Sequence, residues 1–126
     1  MNFPENLQYT KEHEWIRIEG NNAYIGITDF AQNELGEIVY VDITTEGETL
    51  KKGQVFGNVE AVKAVSDLYM PVSGKIVTVN PALEEHPELV NEDSYGEGWI
   101  IQIEITEEAD KETLLTAEDY RKLINK

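Results

Sequence analysis

Cysteine is absent from this chain of 126 residues. The absence excludes disulfides, cysteine-ligated metal sites and thiol catalysis by the protein itself. If the chain takes part in redox chemistry, an attached or bound group must therefore hold the electrons.

Basic residues are scarce: 10 Lys and Arg stand against 25 Asp and Glu, which gives a formal net charge of −15. This charge argues against a nucleic-acid partner. It either steers the chain toward basic surfaces or reflects an acidic solvated surface without specific meaning, and the composition leaves both readings open.

Long apolar runs are missing as well, and none approaches the roughly 18 residues that a membrane span requires. Residues 1–5 contain neither a basic n-region nor the start of an arginine-rich transit segment. We therefore expect no membrane association and a cytoplasmic, bacterial location, unless the chain is a mature form that has already been trimmed.

Histidine is rare too, and His13 and His86 are far apart without a companion at metal-ligand spacing. Ser66 and Ser73 are not part of a nucleophile elbow, and residues 96–98 are too short a glycine segment to cradle phosphate. We predict neither a metal site nor catalytic residues.

The hydrophobic content of 40% is that of a folded protein of one domain, 1–126. We expect a core over about 9–105 and a C-terminal helical segment over about 107–126. Residues 36–41 recur weakly as 74–79, an arrangement that fits two interlocked halves of a flattened β barrel.

Capping residues predict where the helices begin and end. Asp29 is predicted to cap a short helix that Gly36 ends, and Asn80 to cap a helical turn that starts with proline. Thr116 is predicted to open the C-terminal helix, because apolar residues follow at helical spacing. Turns are expected at 46–48 and 51–53, a loop at 92–98, and a buried strand at 99–103.

Lys63 is the most informative residue, because it lies between two stretches with strand character. Residues 54–59 are rich in Val and Phe, and residues 68–79 alternate between apolar and other side chains. No Gly or Asn occupies the turn between them, where Val62 and Ala64 flank the lysine. The pattern predicts two strands joined by a short turn with an accessible amine at its tip.

Residues 57–74, GNVEAVKAVSDLYMPVSG, closely resemble the lipoylation hairpin of glycine cleavage system H proteins. Further blocks in the family's order make the resemblance specific, and they are 9–15, 26–32, 35–39, 87–91 and 95–99. Three departures from the family pattern, Asn58, Ala61 and Ser94, are local and leave the assignment of the lysine unchanged.

The resemblance implies a mainly β, biotinyl/lipoyl-carrier-like flattened barrel of two antiparallel sheets with quasi-two-fold symmetry, short helices and a C-terminal helix. It implies lipoic acid in amide linkage to Lys63, with Glu60 and Gly74 recognised by the modifying enzyme. It also implies that Glu14 and Asp67 hold the aminomethyl amine in a cleft, where carboxylates give charge-assisted hydrogen bonds. A structural alternative for this segment is that Trp15 enters the core of an early strand while His13 and Glu14 lie on its exposed side.

In function, the resemblance implies a carrier that is not an enzyme. It would take an aminomethyl group from glycine decarboxylase (P protein) to the tetrahydrofolate-dependent aminomethyltransferase (T protein), and then electrons to dihydrolipoyl dehydrogenase (L protein). A lipoate ligase or a lipoyl/octanoyl transferase would modify it. Three alternatives stay open: a lipoate-relay carrier, a biotin carrier, which favours methionines beside the lysine, and an unmodified acidic β domain.

Overall fold

The computed structural model describes residues 1–125. Along these residues the strands are β1 Gln8–Tyr9, β2 Glu14–Glu19, β3 Asn22–Ile27, β4 Ile38–Asp42, β5 Thr49–Leu50, β6 Val55–Ala61, β7 Val65–Tyr69, β8 Gly74–Val79 and β9 Ile101–Ile105. The α-helices are α1 Asp29–Leu35, α2 Leu89–Glu92 and α3 Ala117–Ile124. Two 3-10 segments cover Pro81–Glu84 and Glu108–Thr113.

The strands form two sheets in which neighbouring strands are antiparallel. The larger sheet has the order β1-β2-β3-β9-β8-β5, and the smaller one has the order β4-β6-β7. The last strand, β9, pairs with both β3 and β8 and so joins the N-terminal strands to the middle of the chain. The prediction of a mainly β fold with two antiparallel sheets, short helices and a C-terminal helix is confirmed.

The main hydrophobic core lies between the inner faces of the two sheets. Alternate residues of each strand point inward, since side chains along a strand alternate between its faces. Buried examples from successive strands are Ile16, Ile25, Val59, Leu68, Ile76 and Ile103. Each such side chain contributes roughly 1.5–3 kcal/mol relative to its exposed state.

A second hydrophobic cluster covers the outer face of β2. It contains Trp15, Tyr9 and Tyr120, together with smaller residues from both ends of the chain. The Tyr9 ring stacks on the Tyr120 ring of α3 with centroids 5.0 Å apart. Tyr9 also forms an antiparallel bridge with Leu115, so the N-terminal and C-terminal segments pack together.

Helix α1 begins one residue earlier than expected. Thr28, not Asp29, is the N-cap, and its hydroxyl accepts a hydrogen bond from the amide of Ala31 at 3.1 Å. Asp29 is the first helical residue, where its carboxylate accepts from the Gln32 side chain at 2.7 Å. The predicted end at Gly36 is confirmed, since Gly36 has φ = 81° and donates its N–H to the Gln32 carbonyl.

The other two predicted caps are confirmed. The Asn80 side chain accepts from the amide of Ala82, and the Thr116 hydroxyl accepts from the amide of Asp119, both at 3.1 Å. These bonds satisfy N–H groups that a helix start leaves unpaired. None of the helices in residues 1–125 is long and apolar enough to cross a membrane.

Two predicted strand boundaries are wrong. The alternating stretch 68–79 is not one strand, because β7 ends at Tyr69 and β8 begins at Gly74 in the other sheet. Pro71 lies in the connection, where it has no N–H to donate to a ladder. The last core strand starts at Ile101 rather than at residue 99, although Ile100 is itself buried.

The two copies of the repeated sequence fall in different sheets. Residues 36–41 lead into β4 of the smaller sheet, and residues 74–79 form β8 of the larger one. The hairpin of β6 and β7 lies between them in sequence. The expectation of two interlocked halves with quasi-two-fold symmetry stays a prediction.

Two of the three departures from the family pattern, Ala61 and Ser94, occupy ordinary structural positions. Ala61 is buried opposite Ile38 at the end of β6. Ser94 is buried, and its hydroxyl donates to the Val90 carbonyl at 2.6 Å. Among residues 1–125, Asn58 is the residue whose buried side-chain oxygen has no hydrogen-bond partner.

Candidate functional site

Lys63 lies at the tip of the hairpin formed by β6 and β7. The last register pair is Glu60 with Val65, and the amide of Ala61 donates to the carbonyl of Ala64 at 2.7 Å to close the turn. Val62, Lys63 and Ala64 are all exposed. The predicted accessible amine at the end of two paired strands is confirmed.

The start of β4 supports the tip from one side. Val62 donates its N–H to the carbonyl of Glu37 at 3.2 Å, which continues the β4–β6 pairing toward the lysine. The side chain of Lys63 leans toward Gly36, where a Cβ atom would lie 3.6 Å from the lysine Cε. Lys63 therefore projects from a tip that backbone contacts hold in place.

Asn91 of α2 organises this support, although sequence reasoning assigned it no role. Its side-chain amide donates to the carbonyl of Gly36 at 2.8 Å and to the Gln32 side chain at 2.9 Å. Its oxygen accepts from the amide of Ile38 at 2.8 Å. The only available signal was its position in the block 87–91, which carried no indication of these contacts.

Glu60 and Gly74 lie in different environments. Glu60 is half-buried in the middle strand of the smaller sheet, and its neighbours Val59 and Ala61 face the core, so it faces outward. Gly74 is buried at the start of β8, where a Cβ atom would lie 2.7 Å from the carbonyl oxygen of Glu104. The missing side chain therefore lets β8 approach β9 closely.

Glu14 is buried, and the alternative that put it on the exposed side of β2 is wrong. It retains 1% of its accessible surface, and Trp15, as expected, is buried as well. Its carboxyl accepts from the Thr10 hydroxyl at 2.8 Å and from the Tyr69 amide at 2.9 Å. Burial raises the pKa of Glu14 to about 8, although both hydrogen bonds act to lower it.

Glu14 and Asp67 border two different cavities along β7. Glu14 lines a cavity of about 520 Å³ together with Lys52 and Tyr69. Asp67, which is exposed, lines a cavity of about 280 Å³. The structure therefore does not bring the two carboxylates into one cavity, but Glu12 contributes to the walls of both.

The cavity at Asp67 has an apolar floor and an acidic rim. Phe30 and Leu68 contribute to the floor, and Glu34 lies at the rim. His13 lines it from the turn before β2 and has φ = 70°, a conformation that few residues other than glycine adopt. Sequence reasoning missed Phe30 and Glu34, since a surface helix shows no pattern that marks which neighbour it faces.

The His13 ring is tied to the C-terminal helix. Its Nδ1 lies 2.8 Å from the hydroxyl of Tyr120, which in turn lies 2.8 Å from the Thr28 hydroxyl. Burial lowers the pKa of His13. Within residues 1–125 no group of three His, Asp or Glu side chains is arranged to bind a metal ion.

A two-sheet β protein that holds one lysine at the exposed tip of a hairpin has the architecture of a swinging-arm carrier, in which that lysine bears an attached cofactor. Comparison with known proteins identifies the family. The model of the glycine cleavage H-protein family matches residues 7–126. The chain belongs to the glycine cleavage H-protein family.

Individual relatives support the same assignment. The chain is 61% identical to the glycine cleavage system H protein of Bacteroides fragilis and 58% identical to that of Bacteroides thetaiotaomicron, each over 99% of both chains. It is similar to the crystal structure of the glycine cleavage system H protein of Mycobacterium marinum, with a TM-score of 0.83 and 38% identity. That match covers 95% of this chain and 97% of the other.

Membership of this family establishes the type of function. The protein is a non-catalytic component of the glycine cleavage system that carries a lipoyl-lysine. It shuttles an aminomethyl group and electrons among the P, T and L proteins of that system.

Proposed function

We propose that Lys63 is the residue of this shuttle that bears the lipoyl group. The observation that carries the proposal is the exposed Lys63 at the tip of a hairpin with exposed neighbours on both sides. An amine in this position can enter the active site of another protein without unfolding either strand. The residues present therefore fit an amide-linked lipoyl group.

The lipoyl group, when attached, would supply a cyclic disulfide that is reduced as one sulfur takes up the aminomethyl group. The dithiol that remains after that group has departed would give up two electrons to the L protein and close to the disulfide again. The chain's own contribution is to present that group at the end of a supported tip. A tether of this kind keeps the reactive atoms at high effective concentration near each docked enzyme.

Glu60 and Gly74 belong to the same proposal as determinants of lipoylation by a lipoate ligase or a lipoyl/octanoyl transferase. Glu60 faces outward and is available for direct contact. Gly74 is buried, so its contribution is to the shape of the sheet behind the hairpin. We further propose a location in the bacterial cytoplasm, because the curated relatives named above are bacterial H proteins.

We propose that Asp67 and Glu14 hold the aminomethyl amine in succession along β7. Asp67 lies four residues from Lys63, roughly 13 Å along an extended strand, and Tyr69, which binds Glu14, lies two residues further. The pKa of Glu14, about 8, keeps its carboxyl protonated at neutral pH before the amine arrives. A nearby cation favours the carboxylate, so entry of the amine releases the proton of Glu14.

The test is a loading experiment with reconstituted glycine decarboxylase. Glu14→Gln and Asp67→Asn should accept the aminomethyl group but lose it to water several-fold faster than the unsubstituted protein, because each loses a carboxylate that holds the cation. Lys63→Arg should accept none, and Lys75→Arg on β8 is the matched control that should load normally.

Two results of this experiment would contradict the proposal. If the Lys63→Arg variant still accepted the aminomethyl group, Lys63 would not be the attachment site. If both carboxylate variants lost the aminomethyl group to water at the unchanged rate, Glu14 and Asp67 would not hold its amine. The proposed attachment at Lys63 would still stand.

A further inference from the structure

Exposed large apolar side chains gather around the Lys63 hairpin. Val39, Tyr40, Val62 and Val65 expose 47%, 51%, 74% and 64% of their surface, respectively. We call these four residues the hairpin collar. The chain has a net charge of −15, and solvent-exposed positions that serve solubility alone favour charged side chains.

The strand register places two members of the collar, Tyr40 and Val65, on one face of the smaller sheet. Tyr40 of β4, Glu60 of β6 and Val65 of β7 are direct neighbours across the three strands. Val62 lies in the turn two residues beyond Glu60, and its amide bonds to the Glu37 carbonyl at the start of β4. The collar therefore surrounds Glu60 and extends to the residue next to Lys63.

A bulge in β4 enlarges this apolar surface. Ile38 pairs with Ala61 and Tyr40 pairs with Glu60, so Val39 is an extra residue between them. In a regular strand one of two consecutive residues would face the core, yet both Val39 and Tyr40 are exposed. Bulges redirect side chains in this way next to functional sites.

We propose that the hairpin collar is the docking surface for the enzyme that attaches the lipoyl group, an inference that rests on the proposed role of Lys63. Amide formation occurs at the lysine Nζ, roughly 6 Å from the backbone. The attaching enzyme must therefore touch the strands beside the tip. The P, T and L proteins act at the far end of the loaded arm and do not have to approach the collar.

The composition of the collar specifies the surface that fits it. The partner presents apolar side chains to Tyr40 and Val65 and a basic group to Glu60 between them, since a carboxylate in a partly desolvated contact requires an opposite charge. An apolar centre with one charge pair is typical of a protein interface. The collar thus adds apolar contact to the recognition assigned to Glu60.

The test uses purified unmodified protein, a lipoate ligase, ATP and lipoate. The double variant Tyr40→Thr with Val65→Thr should raise the KM for the protein substrate about tenfold, with a smaller change in kcat, because docking and not amide formation is weakened. Val55→Thr with Val77→Thr is the matched control, since both valines are 45% exposed and lie outside the collar. The control should stay within about twofold of the unsubstituted protein.

Folding is checked by urea unfolding of every variant. If the double variant is unstable, Val62→Thr alone replaces it, because Val62 lies in the turn and is the most exposed member of the collar. It should raise the KM about threefold, and a KM equal to that of the control would overturn the inference.

Three further results distinguish a failure of the docking inference from a failure of the proposed attachment at Lys63. If the collar variants are lipoylated like the control while Lys63 is modified normally, the docking inference fails and the attachment site stands. If they are lipoylated normally but fail to support glycine decarboxylation, the collar belongs to a client enzyme and the inference is again overturned. If the unsubstituted protein is not modified at Lys63, both fail.

Discussion

At the scale of single residues, Glu14 departs most from what its sequence context indicates. A glutamate at the start of a strand is normally solvated, yet both faces of β2 are covered here. Ile16, on the same face as Glu14, points into the main core, and Trp15 on the other face enters the second cluster. The carboxyl is therefore enclosed and keeps its proton to a pH near 8.

This burial makes the stability of the protein depend on pH. The unfolded chain releases the proton of Glu14 near its ordinary pKa of 4.5, whereas the folded chain retains it to about 8. The free energy of unfolding therefore falls as pH rises between these values. Glutamine does not ionise, so the Glu14→Gln variant lacks this pH dependence. The unfolding free energy of the unsubstituted protein minus that of the variant should therefore decline by more than about 1 kcal/mol between pH 4.5 and pH 8.

Urea unfolding at intervals between pH 4 and pH 9 measures this difference. Glu48→Gln, at an exposed position before β5, is the control, and its difference from the unsubstituted protein should stay within about 0.5 kcal/mol across the window. A difference between Glu14→Gln and the unsubstituted protein that stays flat from pH 4.5 to pH 8 would contradict the burial of a protonated Glu14.

At the scale of elements, Asn91 holds three of them together. It links the end of α1 and the start of β4 to α2 through three side-chain hydrogen bonds. One of its partners is the amide of Ile38, a residue that is 1% exposed. Because water cannot easily reach this amide, Asn91→Ala should lower the free energy of unfolding by about 1–3 kcal/mol.

Asn33→Ala provides the comparison for Asn91→Ala, because Asn33 lies exposed on α1. Alanine favours helix, so this control should be neutral or slightly stabilising. Equal stabilities for the two variants would show that the Asn91 contacts do not hold the hairpin support together. Hydrogen exchange at the Val62 amide, which bonds to Glu37, should accelerate only in Asn91→Ala.

Local patterns predicted those elements that depend on neighbouring residues. The cap at Thr116 and the helix end at Gly36 follow from residue types within one turn of chain, and the turn around Lys63 follows from the strand character of the residues on both sides. The cap at Asp29 was misplaced because Thr and Asp are both good caps and stand side by side. The strand break at Pro71 depends on which sheet each half joins, which local alternation does not encode.

At the scale of the whole molecule, the parts of the site that sequence could not predict are those that distant segments build. The cavity at Glu14 has walls from the turn before β2, the end of β7 and the segment near Leu114. No period or spacing relates these segments to one another. The exposed position of Lys63 was predictable because it depends on a short stretch of chain, whereas the burial of Glu14 depends on the packing of both chain ends.

The arrangement of the two clusters supports the expectation that residues 1–126 form one domain, which stays a prediction. Tyr9 and Tyr120 stack on the outer face of the same sheet whose inner face forms the main core. The N-terminal and C-terminal segments thus pack on the larger sheet, whose other face shares the main core with the sheet of the hairpin.

The central claim is that Lys63 carries the lipoyl group, and the mass of the peptide containing Lys63, taken from protein isolated from its native host, tests it most directly. The account predicts a mass increment of one lipoyl group in amide linkage, located on Lys63 by fragmentation. An unmodified Lys63 in cells that lipoylate other proteins, or a biotin increment in its place, would contradict it.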